Sequence, residues 1–129
     1  MKTADLLLMN NEQKKAFLLL KLIIFNYHGL DEEERKMLED DAEKLNAKDE
    51  LQWAFDFVNQ DPLTSFERAR EYFKNEVTKY DQDTRLYFIK SVWENANSKG
   101  YVTEIEAMSM LKLAKDWGVQ KELLSLVRK

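Results

Sequence analysis

Ten consecutive residues, Ala16 to Phe25, are apolar with the single exception of Lys21. A helix formed by such a run is hydrophobic around most of its circumference and must be enclosed by protein or by lipid. The run is about half as long as a bilayer-spanning helix, so enclosure by protein is favoured. We therefore predict a buried helix over residues 12–28, with Asn11 as its cap and Gly29 at its end.

A related run follows at Leu86 to Trp93 and predicts a second buried helix over residues 84–98, which Gly100 ends. The chain has only three glycines and one proline, fewer turn residues than a protein with many strands needs. We predict an all-α, single-domain multihelical bundle over residues 1–129, in which shorter helices surround two buried central helices.

Cap residues divide the rest of the chain into further helices. We predict helices near 32–46, 49–59, 65–80, 104–117 and 119–128, and a short one after Thr3. Asp31 with Glu34, Thr64 with Glu67, and Thr103 with Glu106 have the spacing of capping boxes, and Asp81 or Asp83 caps the second central helix.

Residues 31–51 align with residues 103–123 at an offset that pairs Asp31 with Thr103 and Glu34 with Glu106. The same order of caps, glycines and apolar positions predicts a pseudo-repeat with halves of approximately 12–59 and 84–128. Chance similarity between amphipathic helices is the alternative.

The segments Asn26 to Glu34 and Asn97 to Glu106 resemble the turn motif of the TerB-like family, named for a bacterial tellurite-resistance protein. The resemblance covers roughly residues 12–128. It implies an all-helical bundle, a bacterial stress-response setting and divalent-metal binding through acidic residues near the two turns. The aspartate that precedes glycine in the family motif is replaced here by His28 and Lys99.

Asp31, Glu34 and Glu106 are therefore weak candidates for metal ligands. A helix N-terminus favours carboxylates without any metal, which is the simpler interpretation of Asp31 to Glu34. The rest of the acidic segment 31–43 is expected to be a solvated helix face. His28 is the only histidine and is expected to interact with the end of its helix. We expect no cofactor.

Two lysines, Lys21 and Lys90, fall inside the predicted central helices. They are either a functional buried pair or, as we predict, lie at helix edges with each ammonium reaching solvent or an acid. Aromatic residues at Trp53, Phe55, Phe57, Tyr72 and Tyr87 are expected mostly in the core, with some surface left exposed for an interface.

The formal net charge of −4 is unevenly distributed: residues 31–61 hold twelve acids and four bases. An acidic surface repels nucleic acid. The chain has no cysteine and no apolar segment long enough for a signal peptide, so we predict a cytoplasmic protein that does not insert into membranes. We predict a non-enzymatic protein-interaction module with a protein partner. The alternatives are a divalent-cation-binding protein that uses segment 31–43, and a small carboxylate-based enzyme.

Overall fold

The chain folds around one helix, α1 (Asn11–Phe25), in a computed structural model that describes residues 9–26, 30–98 and 100–128. The helices that follow are α2 (Glu32–Leu45), α3 (Lys48–Gln60), α4 (Ser65–Glu76), α5 (Gln82–Asn97), α6 (Glu104–Asp116) and α7 (Gln120–Val127). Two 3₁₀ turns, Pro62–Thr64 and Val77–Lys79, flank α4. The described residues contain helices and turns but no strand, so the all-α prediction is confirmed.

The run from Ala16 to Phe25 is buried without interruption. It packs against α2, α3, α4, α5 and α6, and the buried side chains of all seven helices form one core. The cap of α1 is Asn10 rather than the predicted Asn11, because Asn10 and Gln13 form a capping box. Asn10 Oδ1 accepts a hydrogen bond from the Gln13 N–H at 2.8 Å. The predicted end at Gly29 and the predicted helix after Thr3 lie outside the described residues.

The second predicted central helix, α5, is buried along one face. Phe88, Ile89, Val92 and Ala96 are inaccessible to solvent, whereas Lys90 on the opposite side is exposed. The rings of Phe17 and Phe88 meet edge to face at 5.2 Å and join α5 to α1. The enclosing helices therefore cover α1 more completely than α5.

Most predicted caps are confirmed. Asp31 and Thr103 start α2 and α6 with complete capping boxes, and Asp81 accepts a hydrogen bond from the Thr84 N–H at the start of α5. The predicted Thr64 capping box is wrong. Pro62 opens a 3₁₀ turn that runs directly into α4, so Thr64 lacks the extended backbone of an N-cap residue and makes no cap bond.

Two helical hairpins, α2–α3 and α6–α7, have the same backbone turn. Asn46 and Gly118 both have left-handed conformations, with φ of 52° and 72°. Each turn is closed by an equivalent hydrogen bond, from the Ala47 N–H to the Ala42 carbonyl in the first and from Val119 to Ala114 in the second. The two turns thus match at the predicted offset, while superposition of the halves, 12–59 on 84–128, stays a prediction.

Arginine contacts attach the second hairpin to the core. The Arg70 guanidinium of α4 donates to both carboxylate oxygens of Asp116 at the end of α6, at 3.0 and 3.2 Å. Arg85 of α5 donates to the carbonyl oxygen of Trp117. These bonds hold the end of α6 against α4 and α5, and Glu106 and Met110 in its first half are inaccessible to solvent.

Candidate interaction surface

The three weak metal candidates are occupied by helix capping. Asp31 Oδ1 accepts from the Glu34 N–H at 2.7 Å, and Glu34 Oε1 accepts from the Asp31 N–H at 3.3 Å. Glu106 Oε1 accepts from the N–H and the hydroxyl of Thr103 at 3.0 and 2.9 Å. These carboxylate oxygens accept hydrogen bonds at helix N-termini, so helix capping explains why acidic residues occur at these positions.

A metal site needs several carboxylate or imidazole groups that converge on one point. Within residues 9–26, 30–98 and 100–128, no three histidine or acidic side chains converge on a position that could hold an ion. His28 and Lys99, at the two family turn positions, lie outside the described residues. Weak or absent metal binding remains a prediction.

One member of the acidic segment has a different environment. Glu39, Asp40 and Glu43 are exposed, as predicted for a solvated face, but Asp41 points inward and accepts a hydrogen bond from Lys21 Nζ at 2.5 Å. Lys21 is 4% exposed and its ammonium lies 4.4 Å from the centre of the Phe17 ring. The pairing was missed because it joins two helices and leaves no local pattern in the sequence.

Burial lowers the pKa of Lys21, and the charge and hydrogen bond of Asp41 oppose that shift. Lys90, by contrast, is half exposed and its nearest acid, Glu94, is 3.9 Å away. The predicted edge position is wrong for Lys21, which is buried, and confirmed for Lys90, while the prediction that each ammonium reaches solvent or an acid is confirmed. The two lysines do not form a pair with each other.

Two grooves have enough volume for a small ligand. The α2–α3 groove has a volume of about 490 Å³, and its lining includes Arg35, Glu39, Lys48 and Phe55. A groove of about 310 Å³ follows α5 between Asp83 and Glu94. The carboxylate-enzyme alternative needs a buried carboxylate that lines a pocket. The buried carboxylates Glu34 and Glu106 line neither of these two grooves.

The aromatic residues considered for an interface are all partly buried against the core. Trp53, Phe57 and Tyr72 touch one another, with ring centres 5.3 to 6.2 Å apart. Lys15 lies over the Trp53 ring and Arg68 over the Phe57 ring. These three rings thus pack mainly on one another and on nearby cations, and each side chain remains partly exposed.

Leu63, in the 3₁₀ turn before α4, is 98% exposed, and the other large apolar side chains that are well exposed among the described residues lie on or just before the second hairpin. Tyr101 is 66% exposed, Ile105 and Met108 are each 51% exposed, and Val127 is 37% exposed. Leu111 and Leu124 beside them are partly exposed. We call this set the α6–α7 face: Tyr101, Ile105, Met108, Leu111, Leu124 and Val127.

The first hairpin supplies an internal comparison for this face. At the positions that match Ile105, Met108 and Leu111 in the repeat, α2 carries Glu33, Lys36 and Glu39, all of them exposed. Leu124 corresponds to Gln52. At the positions of Ile105 and Met108, α2 therefore carries exposed charged residues, whereas Leu111 of α6 also packs against the core.

Comparisons with models of known protein families, with curated proteins and with solved structures gave no match. The class of the protein is therefore defined by its own structure, an all-α bundle in which α6 exposes Ile105 and Met108. Among the described helices, none combines the length and apolarity that crossing a membrane requires.

Proposed function

We propose that this chain is a non-enzymatic protein-interaction module that binds another polypeptide through the α6–α7 face. The observation that carries the proposal is the exposure of Ile105 and Met108 where the matching hairpin has Glu33 and Lys36. Exposed apolar side chains clustered on one element are typical of interaction sites.

The chemistry of the face fits protein recognition. Tyrosine and methionine are enriched in interface cores, and an unbranched methionine adapts its shape to a partner. Lys112 and Lys115 lie on the exposed side of α6 with Glu104, so charged groups surround the apolar centre. An apolar centre with a polar rim is the usual anatomy of a protein–protein interface.

The proposal agrees with the resemblance to TerB-like proteins and includes the bacterial stress-response setting that the resemblance implies. It also includes a cytoplasmic location, which a chain without cysteine fits. The occupied carboxylates of Asp31, Glu34 and Glu106 favour an interaction module over the cation-binding alternative.

Affinity capture with the full chain from a lysate of its source organism tests the proposal. The variant Met108→Lys gives α6 the residue of the matching hairpin, and Lys36→Ala is the control on α2. We expect the wild type and Lys36→Ala to retain the same proteins, further copies of the chain included, and Met108→Lys to lose them. Equal retention by all three baits would refute the role of this face.

A further inference from the structure

We infer that the polypeptide that binds the α6–α7 face is a second copy of this chain, paired antiparallel through α6 about a twofold axis at Met108. This inference rests on the proposed function and names the partner for the same surface. It is argued from the order of charged and apolar residues along α6.

A twofold axis places each residue opposite one at the same distance on the other side of the axis. With Met108 at the axis, Ile105 of one copy lies opposite Leu111 of the other, so apolar groups meet apolar groups. Glu104 lies four residues before Met108, and Lys112 lies four residues after it. Residues spaced by four share one face of a helix, so Glu104 of each copy meets Lys112 of the other.

The two charged residues are available for this pairing. Glu104 and Lys112 are both exposed, and neither makes an ion pair or side-chain hydrogen bond with the described part of the chain. Opposite charges at equal distances from an apolar centre are the pattern that makes a helix complementary to its own antiparallel copy.

The first hairpin lacks this complementarity. The positions that match Glu104, Met108 and Lys112 hold Glu32, Lys36 and Asp40. The same antiparallel arrangement of α2 would bring acid against acid on both sides of a lysine pair, which repels. The inference therefore assigns self-association to α6 and excludes it for α2.

Contact between two single helices lies at the small end of interface sizes, so we expect a dissociation constant on the order of 10–100 μM. Sedimentation of the full chain up to about 1 mM measures this constant directly. Met108→Lys, Glu104→Lys and Lys112→Glu should each weaken association by about tenfold or more. The double variant Glu104→Lys/Lys112→Glu should regain it, since the exchanged charges pair again.

The absence of natural cysteine permits a second readout. A disulfide between copies needs Cα atoms about 4.4–6.8 Å apart, which only residues near the twofold axis can reach. Met108→Cys should therefore form a disulfide-linked dimer on mild oxidation much faster than the matched control, Lys36→Cys. Circular dichroism of each variant confirms the fold.

A chain that remains monomeric up to about 1 mM overturns this inference, as do equal cross-linking rates at the two positions and failure of the double variant to regain association. If the chain is monomeric and Met108→Lys still abolishes capture in the lysate experiment, the partner is a different protein. In that case the proposed function stands without self-association. If Met108→Lys changes neither the capture from the lysate nor the sedimentation of the chain, both the proposed function and the inferred self-association are refuted.

Discussion

Replacing Asp41 with asparagine keeps the shape of the side chain but removes its charge from beside the buried ammonium of Lys21. The two groups are 2.5 Å apart, and the exposed fractions of their side chains are 4% for Lys21 and 26% for Asp41. The variant therefore tests how much one nearly enclosed ion pair contributes to the packing of α2 on α1.

The exposed fractions of Lys21 and Asp41 determine how large a loss in the free energy of unfolding we expect. Breaking a fully buried pair costs about 3–5 kcal/mol, whereas an exposed pair contributes about 0–1 kcal/mol. Water reaches Asp41 but hardly reaches Lys21, so we expect a loss of about 2 kcal/mol in the free energy of unfolding at pH 7. Lys21→Met removes the charge that needs a partner and should change stability by less than about 1 kcal/mol.

Urea unfolding followed by circular dichroism measures these free energies. If the slope of the free energy of unfolding against urea concentration is the same in each variant, the unfolded states are comparable. The double variant Lys21→Met/Asp41→Asn should resemble Lys21→Met alone, because Asp41 then has no ammonium to pair with. A loss below about 0.5 kcal/mol for Asp41→Asn, or additive losses in the double variant, would refute the reasoning.

The pH dependence gives a second check with a defined sign. Burial lowers the pKa of Lys21 below its usual 10.5, so the folded state releases the proton at a lower pH than the unfolded state. Between these two pKa values the unfolded state binds more protons, and stability therefore rises with pH. Relative to Lys21→Met, the wild type should gain stability as the pH approaches 10.5, and Asp41→Asn should shift the gain to lower pH.

The remaining predictions concern the core, the partly buried Tyr80 and metal binding. Leu19→Ala and Ile89→Ala should each cost about 2–5 kcal/mol in urea unfolding, since both side chains are inaccessible to solvent, and losses below about 0.5 kcal/mol at both would contradict the burial. Burial and the hydrogen bond to Glu76 raise the pKa of Tyr80 above its usual 10.0. The difference in the free energy of unfolding between the wild type and Tyr80→Phe should therefore be largest below pH 10.0 and decrease above it. A difference that stays constant with pH would contradict this. Titration calorimetry should detect no calcium, magnesium or manganese site tighter than about 100 μM, and a low-micromolar site lost in Glu34→Gln or Glu106→Gln would show the prediction wrong.

Local patterns in the sequence predicted much of the fold. The apolar run at Ala16 to Phe25 identified the central helix, and the side chains of Asp31, Asp81 and Thr103 marked helix starts correctly. These signals succeed because capping and amphipathicity depend on residues a few positions apart. Thr64 failed because the turn that begins at Pro62 continues into α4 and supplies no cap geometry.

Contacts between helices were not predictable in the same way. In α6, Ala107 and Leu111 are only partly buried, whereas Leu113 is inaccessible to solvent. An apolar residue on a helix gives the same pattern whether it meets the core or a partner, so periodicity alone does not identify Ile105 and Met108 as exposed residues. The aligned repeat contained a usable signal, because it sets Met108 against Lys36 and Ile105 against Glu33.

The enclosure of α1 has a consequence for how the protein is made. α1 precedes in the chain the described helices that cover it, and α5, one of these, ends at Asn97. Ribosomes add roughly 5–20 residues per second, so the run from Ala16 to Phe25 waits about 4–14 s while about 70 more residues are added. Until α5 and α6 have been made, α2, α3 and α4 can enclose this segment only in part. We expect it to be the principal segment bound by chaperones during synthesis.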